Sequence, residues 1–480
     1  MAVLSQPTIR GVQADLLAGT TTCETLVKTY LQRIADTRHL NAYLEVFEED
    51  ALAQAKAIDE KIKNKTPLGK LFGITVALKD NICYKGHKVS ASSKILGGFT
   101  SIFNATVTER LLAEDAILIG RTNCDEFAMG SSNENSAYGA VLNAQDNTRV
   151  PGGSSGGSAV AVQANLCHVS LGSDTGGSIR QPASFCGIAG LKPTYGRVSR
   201  WGLIAYASSF DQIGPFTHHI EDMALVMEVL SGKDSYDSTA SSKPVPAYSQ
   251  QLTFDRPARI AVFPSTLKSE GLNAEVRSAT ENLLNNLKAA GNTVAELEFD
   301  LLDYLIPTYY VLTTAEASSN LARFDGVHYG YRSPQAENME SVYKRSRTEG
   351  FGREVQNRIM LGTFVLSAGY YDAYYSRAQK VRRILTDKID AIFKEYDFVL
   401  MPTAPTTAFK FGEKTSNPVE MYLADIYTVL ANLVGIPGIS LPLAADKQGL
   451  PIGIQLLAGK FEEAKLLAFS EKLMQIDSVK

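Results

Sequence analysis

Two loops rich in glycine and serine contain the residues most able to do chemistry in this chain of 480 residues. The first loop, 152–158, reads G-G-S-S-G-G-S, and the second, 173–178, reads S-D-T-G-G-S. A loop that leads into a helix leaves backbone N–H groups free to bind negative charge. Because hydroxyls crowd both loops and neither contains a histidine, the pattern predicts a serine nucleophile that another kind of base activates.

The second loop has the surroundings that a nucleophile needs. The pattern predicts a strand over 166–171, a tight turn over 172–177 and a helix that begins at Ser178. Such a turn would aim consecutive N–H groups into one pocket, where each donor to a tetrahedral oxyanion contributes about 3 kcal/mol. The predicted oxyanion donors are the N–H groups of Thr175, Gly176, Gly177 and Ser178.

The predicted base is Lys79, which directly follows a buried apolar strand over 71–78. A lone lysine at a strand end usually extends to the surface, but the two serine loops favour a catalytic role here. A neutral lysine accepts a proton only when burial or polar neighbours lower its pKa from about 10.4 towards about 7–8. Ser154 or Ser155 can relay that proton between Lys79 and Ser178, because a hydroxyl both donates and accepts.

The six histidines offer no better base, because none lies in a motif. They are His39, His87, His168, His218, His219 and His328. Surface or structural roles are predicted for His218 and His219, which lie in a turn-like stretch.

Three other interpretations of the first loop fit its sequence less well. Residues 152–156 match G-x-S-x-G, the nucleophile elbow of α/β-hydrolases, but the elbow needs a preceding strand and 143–151 is polar. A phosphate-binding loop would need a lysine where the chain has Ser158. A flexible glycine–serine linker is compatible with the first loop alone, and the second loop argues against it.

The rest of the chain alternates helical and strand patterns, which indicates an α/β fold. Helices are predicted near the N-terminus, where Thr21 and Glu24 have capping-box spacing, and over 51–63, 108–114, 159–164, 274–290 and 461–475. Further strands are predicted over 116–120, 259–263, 294–299, 398–401 and 451–457. Between them, 231–257 is rich in Ser, Asp, Lys and Pro and is predicted to be a linker or long loop.

Composition excludes several classes of function. A net charge of −4 gives no general attraction to nucleic acid or to an anionic membrane. The five cysteines include no C-x-x-C pair, which argues against disulfides and against a thiolate metal site. Because no apolar run approaches the ~20 residues that span a bilayer and the start lacks a signal-peptide pattern, we expect a cytoplasmic protein.

The two loops and the lysine resemble the amidase signature family. The resemblance rests on Lys79, on G-G-S-S-G-G-S over 152–158 and on D-T-G-G-S-I-R-Q-P over 174–182. It implies an α/β amidase signature fold, with one large mixed β-sheet covered by helices on both faces. It also implies that Lys79 is the base, that Ser154 rather than Ser155 is the relay, and that Ser178 forms the acyl-enzyme.

The same resemblance implies one amidase domain over 1–480. Within it, 1–65 is expected to be a helical segment, and 66–230 is expected to be the core with the Lys-Ser-Ser triad. After 231–257, residues 258–480 are expected to complete the sheet and the substrate pocket.

Within the family, the chain is most similar to the glutaminase subunits of tRNA-dependent amidotransferases. The supporting text includes M-G-S-S-N-E-N-S over 129–136 and M-Y-L-A-D-I-Y-T over 421–428. The similarity implies a glutamine pocket in which Arg358 binds the α-carboxylate, Asp425 binds the α-ammonium and Tyr309 lines the site. This agrees with the charges of the substrate, since a zwitterion needs one cation and one anion placed apart.

Partners and cofactors are likewise implied by the resemblance. The chain would need no cofactor or metal of its own and would form a heterotrimer with two other amidotransferase subunits. A partner would bind most of the charged tRNA and use ATP and Mg²⁺ to convert Glu-tRNA(Gln) to Gln-tRNA(Gln). The alternatives are a stand-alone amidase for a small amide, a nucleotide-binding protein and a non-catalytic scaffold subunit. The charges of Arg358 and Asp425 argue against the stand-alone amidase, and the serine at position 158 argues against the nucleotide-binding protein. The intact triad argues against the scaffold subunit.

Overall fold

The computed structural model describes residues 7–414 and 418–475, and for 418–420 it describes the backbone alone. These residues form sixteen α-helices, and most are short segments that follow or precede a strand. The helices are α1 Ile9–Ala18, α2 Cys23–Asp36, α3 Glu48–Lys63, α4 Thr106–Ala113, α5 Gly156–Gln163, α6 Arg180–Cys186, α7 Ile220–Leu230, α8 Pro264–Lys268, α9 Ala274–Ala289, α10 Leu305–Asn320, α11 Met339–Gly350, α12 Arg353–Val365, α13 Arg377–Ile392, α14 Pro418–Leu423, α15 Val429–Val434 and α16 Glu463–Met474.

Eleven strands of the described residues form one sheet. The strands are β1 Tyr43–Val46, β2 Thr75–Lys79, β3 Ile117–Thr122, β4 Val169–Asp174, β5 Ala189–Lys192, β6 Gln212–Thr217, β7 Arg259–Val262, β8 Thr293–Glu296, β9 Phe398–Pro402, β10 Gly438–Ala445 and β11 Pro451–Leu457. Their order is β1-β3-β2-β4-β6-β5-β10-β11-β9-β7-β8. β2 is parallel to β3 and β4, and β7 is parallel to β8 and β9, whereas the other neighbours are antiparallel. The expected large mixed sheet is confirmed.

Apolar layers cover both faces of the sheet. Val76 and Leu78 of β2 face the largest cluster, which contains residues of α1, α2, α3, α4, α7, α9 and α16. Ala77, between them, faces a second cluster with α5 and α6. Ala261 of β7 faces a third cluster built from α10, α12, α13 and α15. Because successive side chains of a strand point to opposite faces, helices lie on both sides of the sheet, as expected.

The two parallel strands β2 and β4 bring the predicted chemistry to one edge of the sheet. Lys79 is the last residue of β2, and β4 ends at Asp174, directly before the second half of the second loop. The predicted strand over 166–171 begins and ends too early, because β4 continues as far as Asp174 by pairing with β6. The prediction that a helix begins at Ser178 is also wrong, since α6 begins at Arg180.

At the N-terminal end of the chain, α2 begins one residue later than the capping-box prediction requires. Its cap is Thr22, whose hydroxyl oxygen accepts the N–H of Thr25 at 3.1 Å. Glu24 instead lies in the first turn and pairs with Lys28 at 2.7 Å. The predicted capping box at Thr21 and Glu24 is therefore wrong, although the helix itself is present.

The segment 231–257 contains no helix longer than the single 3₁₀ turn Tyr248–Gln250. It is held in place by Arg197, which donates to the carbonyls of Lys243 and Pro244 at 3.2 and 3.1 Å. None of the helices in residues 7–414 and 418–475 has the length and the apolar surface that a bilayer-spanning helix needs.

Candidate active site

Lys79 ends β2 inside the protein, where its side chain is fully buried. Its Nζ lies 2.7 Å from Ser154 Oγ, 2.9 Å from Ser155 Oγ and 3.0 Å from Ser173 Oγ. The carbonyl oxygen of Ser173 lies 3.5 Å from the same nitrogen. All of these partners are neutral oxygens, so hydroxyl groups rather than a carboxylate hold the lysine in place.

Burial lowers the pKa of Lys79, because desolvation penalises the ammonium form. Negative groups around it, Asp125, Asp174 and Asp211 among them, act in the opposite direction but do not cancel that effect. A lysine with a lowered pKa is neutral over a wider pH range and can accept a proton. The direction of this pKa change is the one that the predicted base requires.

The first loop places Ser154 and Ser155 against the second loop. The Gly153–Ser154 peptide bond is cis. The N–H of Ser155 donates to the carbonyl oxygen of Ser178 at 3.2 Å, and the N–H of Asp125 donates to the carbonyl oxygen of Ser154 at 3.0 Å. The segments that carry the predicted relay and the predicted nucleophile are therefore joined by a direct backbone hydrogen bond.

Asp174 fixes the shape of the second loop. Its carboxylate accepts the N–H groups of Gly177 and Ile179 at 2.8 and 3.2 Å. Arg180 and Asn432 also donate to it, at 3.1 and 2.9 Å. Burial alone would raise the pKa of Asp174, but Arg180 and the hydrogen bonds lower it to about 2, so this carboxylate is ionised.

The hydrogen bond to Asp174 corrects one of the predicted oxyanion donors. The N–H of Gly177 is already bound to Asp174 Oδ1, so the prediction that it is free to bind an oxyanion is wrong for this structure. Gly177 has a φ of +134°, a backbone conformation that favours glycine. The N–H groups of Thr175, Gly176 and Ser178 stay as the predicted donors.

Tyr309 and Thr428 pack directly on the glycines of the second loop. A Cβ atom on Gly176 would lie 2.4 Å from the Tyr309 hydroxyl, so a side chain at position 176 would displace the tyrosine. The Thr428 hydroxyl donates to the carbonyl oxygen of Gly176 at 2.6 Å. Ser178, in the same loop, is nearly buried, with 8% of its surface exposed. The structure thus places Tyr309 next to the predicted oxyanion loop.

Arg358 lies in α12, buried among aromatic rings. Its guanidinium carbon is 5.3 Å from the ring centroid of Tyr310 and 5.6 Å from that of Tyr206. Nε donates to Glu354 at 2.8 Å, and Nη1 donates to the Tyr206 hydroxyl at 2.9 Å. Within the described residues neither bond uses Nη2, so this nitrogen can donate to an added anion.

Asp425 is buried, and its Oδ2 accepts the hydroxyl of Ser131 at 2.6 Å. Burial raises the pKa of Asp425 to about 7, while the Ser131 hydrogen bond and the charge of Arg358 act against that rise. The charges of Arg358 and Asp425 both act on the hydroxyl of Tyr309. The three predicted substrate residues therefore lie in one region, which adjoins the second loop.

Four polar contacts of the site were not predicted from the sequence. Ser173 contacts Lys79, Asp174 holds the nucleophile loop, Ser131 holds Asp425 and Thr428 holds Gly176. Ser173 and Asp174 stand inside the second loop, and this position is the signal that could have assigned them to the site. Ser131 and Thr428 lie in the stretches 129–136 and 421–428 that support the resemblance, but no local pattern singles out either residue, because their partners are far away in the chain.

The fold and the lysine–serine site define a class of protein. The family model described as Amidase matches residues 25–467 of the chain. The chain therefore belongs to the amidase family. Among the described residues, no group of three or more His, Cys, Asp and Glu side chains could hold a metal ion.

Individual relatives narrow the comparison. The A subunit of glutamyl-tRNA(Gln) amidotransferase from Chlorobaculum tepidum is 52% identical over 468 residues, which cover 97% of each chain. The crystal structure of the corresponding A subunit from Thermotoga maritima has a TM-score of 0.77 and 39% identity, over 93% of this chain and 90% of the other. The native peptide amidase of Stenotrophomonas maltophilia has a TM-score of 0.83 and 28% identity, over 99% of this chain and 98% of the other.

Proposed function

We propose that this chain is the glutamine-hydrolysing component of a tRNA-dependent amidotransferase, with Ser178 as nucleophile, Ser154 as relay and Lys79 as base. The observation that carries the proposal is the 2.7 Å contact between Lys79 Nζ and Ser154 Oγ in a fully buried site. Burial favours the neutral form of Lys79, and the contact with the Ser154 hydroxyl allows a proton to pass from Ser154 to Lys79. The 52% identity to the A subunit of a glutamyl-tRNA(Gln) amidotransferase supports the same activity.

The charges beside the second loop favour free glutamine as the substrate. Arg358 binds the α-carboxylate, because its Nη2 is available and its neighbouring rings keep the cation away from water. Asp425 binds the α-ammonium, and Tyr309 lines the pocket between these groups and Gly176. A pocket with one buried cation and one buried carboxylate disfavours apolar amides, because such a substrate offers no polar group to either charge.

The reaction begins when Ser178 Oγ attacks the side-chain amide carbon of glutamine and its proton passes through Ser154 to Lys79. The N–H groups of Thr175, Gly176 and Ser178 stabilise the oxyanion, each by about 3 kcal/mol. The C–N bond then breaks, and Lys79 returns the proton through Ser154 to the leaving ammonia. The glutamyl ester on Ser178 is hydrolysed by water along the same proton path, which releases glutamate.

The ammonia is then used by partner subunits. The B and C subunits complete the heterotrimer, and the charged tRNA is bound mainly by a partner that activates Glu-tRNA(Gln) with ATP and Mg²⁺. The net charge of −4 on this chain agrees with that division of labour, since it attracts no polyanion. The names of the two amidotransferase relatives support such a complex.

The experiment that tests the proposal compares ammonia release from glutamine and from propionamide, with and without the partner subunits and Glu-tRNA(Gln). We expect glutamine to be hydrolysed at least about 100-fold more efficiently, because propionamide makes neither charged contact. Equal efficiency for the two amides would instead support the stand-alone amidase. Ammonia release without any Gln-tRNA(Gln) formation in the complete complex would remove the amidotransferase part of the proposal.

A further inference from the structure

Glu126 connects the catalytic loops to the helix that carries Arg358. It directly follows Asp125, whose N–H holds the carbonyl of Ser154 at 3.0 Å. Its side chain is buried, with 2% of the residue exposed, and points to the start of α12. There, Glu126 Oε2 accepts the N–H of Gly352, the N-cap residue of α12, at 2.8 Å.

The start of α12 depends on Glu126 because it has no cap of its own. Gly352 carries no side chain, and no side-chain hydrogen bond caps the helix from within. The first N–H groups of a helix need acceptors, and a carboxylate there also opposes the positive end of the helix dipole. The second oxygen of Glu126, Oε1, accepts the hydroxyl of Ser93, so both ends of the carboxylate are held.

The contact between Glu126 and Gly352 is tightly packed. A Cβ atom on Gly352 would lie 2.4 Å from Glu126 Oε2. The rings of Phe127 and Phe351, which directly follow Glu126 and directly precede Gly352, pack with centroids 5.7 Å apart. The corner before α12 is therefore fixed on two sides, and Arg358 lies six residues beyond Gly352 in the same rigid helix.

The segment that contains Glu126 also reaches the other substrate group. Ser131, five residues along, donates to Asp425 at 2.6 Å. One short segment thus contacts the relay loop, the helix of the cationic substrate residue and the anionic substrate residue. Burial raises the pKa of Glu126 to about 7, because an ionised carboxylate is costly to bury.

We propose that Glu126 is a positioning residue that holds the first turn of α12 and thereby sets Arg358 against the α-carboxylate of the substrate. This inference rests on the proposed function, because it takes glutamine as the substrate and Arg358 as its carboxylate contact. A residue that acts only through Arg358 affects substrates that carry an α-carboxylate and leaves other amides unaffected. A residue that only stabilises the fold affects both kinds of substrate alike.

The test measures KM and kcat for glutamine and for propionamide in Glu126→Ala and Glu126→Gln. In Glu126→Ala we expect KM for glutamine to rise about tenfold, since a charged hydrogen bond is lost, with little change in kcat. The kinetics of propionamide hydrolysis should stay within about twofold of the parent. Glu126→Gln should restore most of the KM, because its amide oxygen can still accept the N–H of Gly352.

Gly352→Ala tests the same contact from the other side and serves if Glu126→Ala fails to fold. Its methyl group would push Glu126 away, so the same rise in KM for glutamine is expected. Asp222→Ala is the matched control for Glu126→Ala, because Asp222 is also buried and accepts the N–H of Ile9, at the start of α1, at 2.8 Å. This control should leave both KM values unchanged.

The proposal is overturned if Glu126→Ala and Gly352→Ala leave KM for glutamine within about twofold of the parent, or if they slow both amides equally. Arg358→Ala distinguishes a failure of the positioning role of Glu126 from a failure of the proposed glutamine pocket. If Arg358→Ala raises KM for glutamine and the Glu126 and Gly352 variants do not, only the positioning role fails. If Arg358→Ala itself leaves that KM unchanged, the proposed glutamine pocket fails as well.

Discussion

Replacing Lys79 by methionine removes the predicted base while keeping an unbranched side chain in the same buried space. The ammonium nitrogen has contacts of 2.7, 2.9 and 3.0 Å to three serine hydroxyls, and methionine can make none of them. Without a base, Ser154 has no group to which it can pass the proton of Ser178. General base catalysis contributes about 10²–10⁴-fold, and residues that act as a unit lose their effect together, so kcat should fall at least about 10³-fold.

The same substitution has a predictable effect on stability, whose sign follows from the pKa. Burial lowers the pKa of Lys79 in the folded state, so the unfolded chain binds more protons between that lowered pKa and the ordinary lysine pKa of 10.5. In the parent the free energy of unfolding therefore rises with pH across this window, and the penalty is complete below it. Lys79→Met lacks this penalty, so its stability relative to the parent should be most favourable at low pH and should decline as pH rises.

The assay follows ammonia release from glutamine and urea unfolding of the same preparations at several pH values. Lys192→Met is the matched control, because Lys192 is also fully buried and burial, with repulsion from Arg180, lowers its pKa to about 7. Lys192 donates to the carbonyl of Pro193 and contacts neither serine loop through a hydrogen bond, so its loss should leave activity within about threefold. Retention of more than about a tenth of parental kcat by Lys79→Met would refute the role of the lysine as base.

Two further predictions concern the substrate groups and the oxyanion loop. Burial raises the pKa of Asp425 to about 7, so Asp425 loses its charge as pH falls through 7. The value of kcat/KM for glutamine should therefore drop over this pH range. In Asp425→Asn, kcat/KM should be low at every pH and should not show this drop. A pH profile that is the same in both proteins would contradict this assignment. In Gly177→Ala, a φ of +134° is unfavourable and the new Cβ would lie 2.2 Å from Thr428 Oγ1, so urea unfolding should report a loss of about 2 kcal/mol or more. Unchanged stability would show that the loop adapts without strain.

Much of the site was predictable because its residues stand at positions where local pattern and chemistry coincide. Lys79 ends an apolar strand, and a lysine in that place must either be desolvated or reach the surface. The glycines and hydroxyls of the two loops indicate backbone that approaches a substrate closely. By contrast, the roles of Arg358 and Asp425 rest on resemblance alone, since an isolated charged residue has no local signature.

Two of the strands that were not predicted, β5 and β6, have physical reasons to escape a pattern search. β6 contains Gly214 and Pro215, which are unusual inside a sheet, yet a Cβ on Gly214 would lie 2.0 Å from the carbonyl of Leu191. β5 contains Gly190, whose Cβ would lie 2.6 Å from Ala183 of α6. In both strands the glycine is required by tertiary contacts, and that requirement removes the apolar alternation on which the prediction depends.

The hydrogen bond between Asp174 and Gly177 gives the same lesson within the site itself. Four consecutive N–H groups were predicted to be free, because a loop before a helix usually leaves them so. The carboxylate that precedes the glycines takes one of them, since Asp174 is held in place by Arg180 from the following helix. Only the three-dimensional arrangement decides which donors a neighbouring side chain uses.

The central claim is that Ser178 forms an acyl-enzyme with the side chain of glutamine. Acid quenching during turnover, followed by peptide mass spectrometry, measures this directly. The claim predicts one glutamyl group on the peptide that contains Ser178, and its absence in Ser178→Ala. A glutamyl group that peptide fragmentation assigns to Ser154 or Ser155, or turnover by Ser178→Ala at the parental rate, would contradict it.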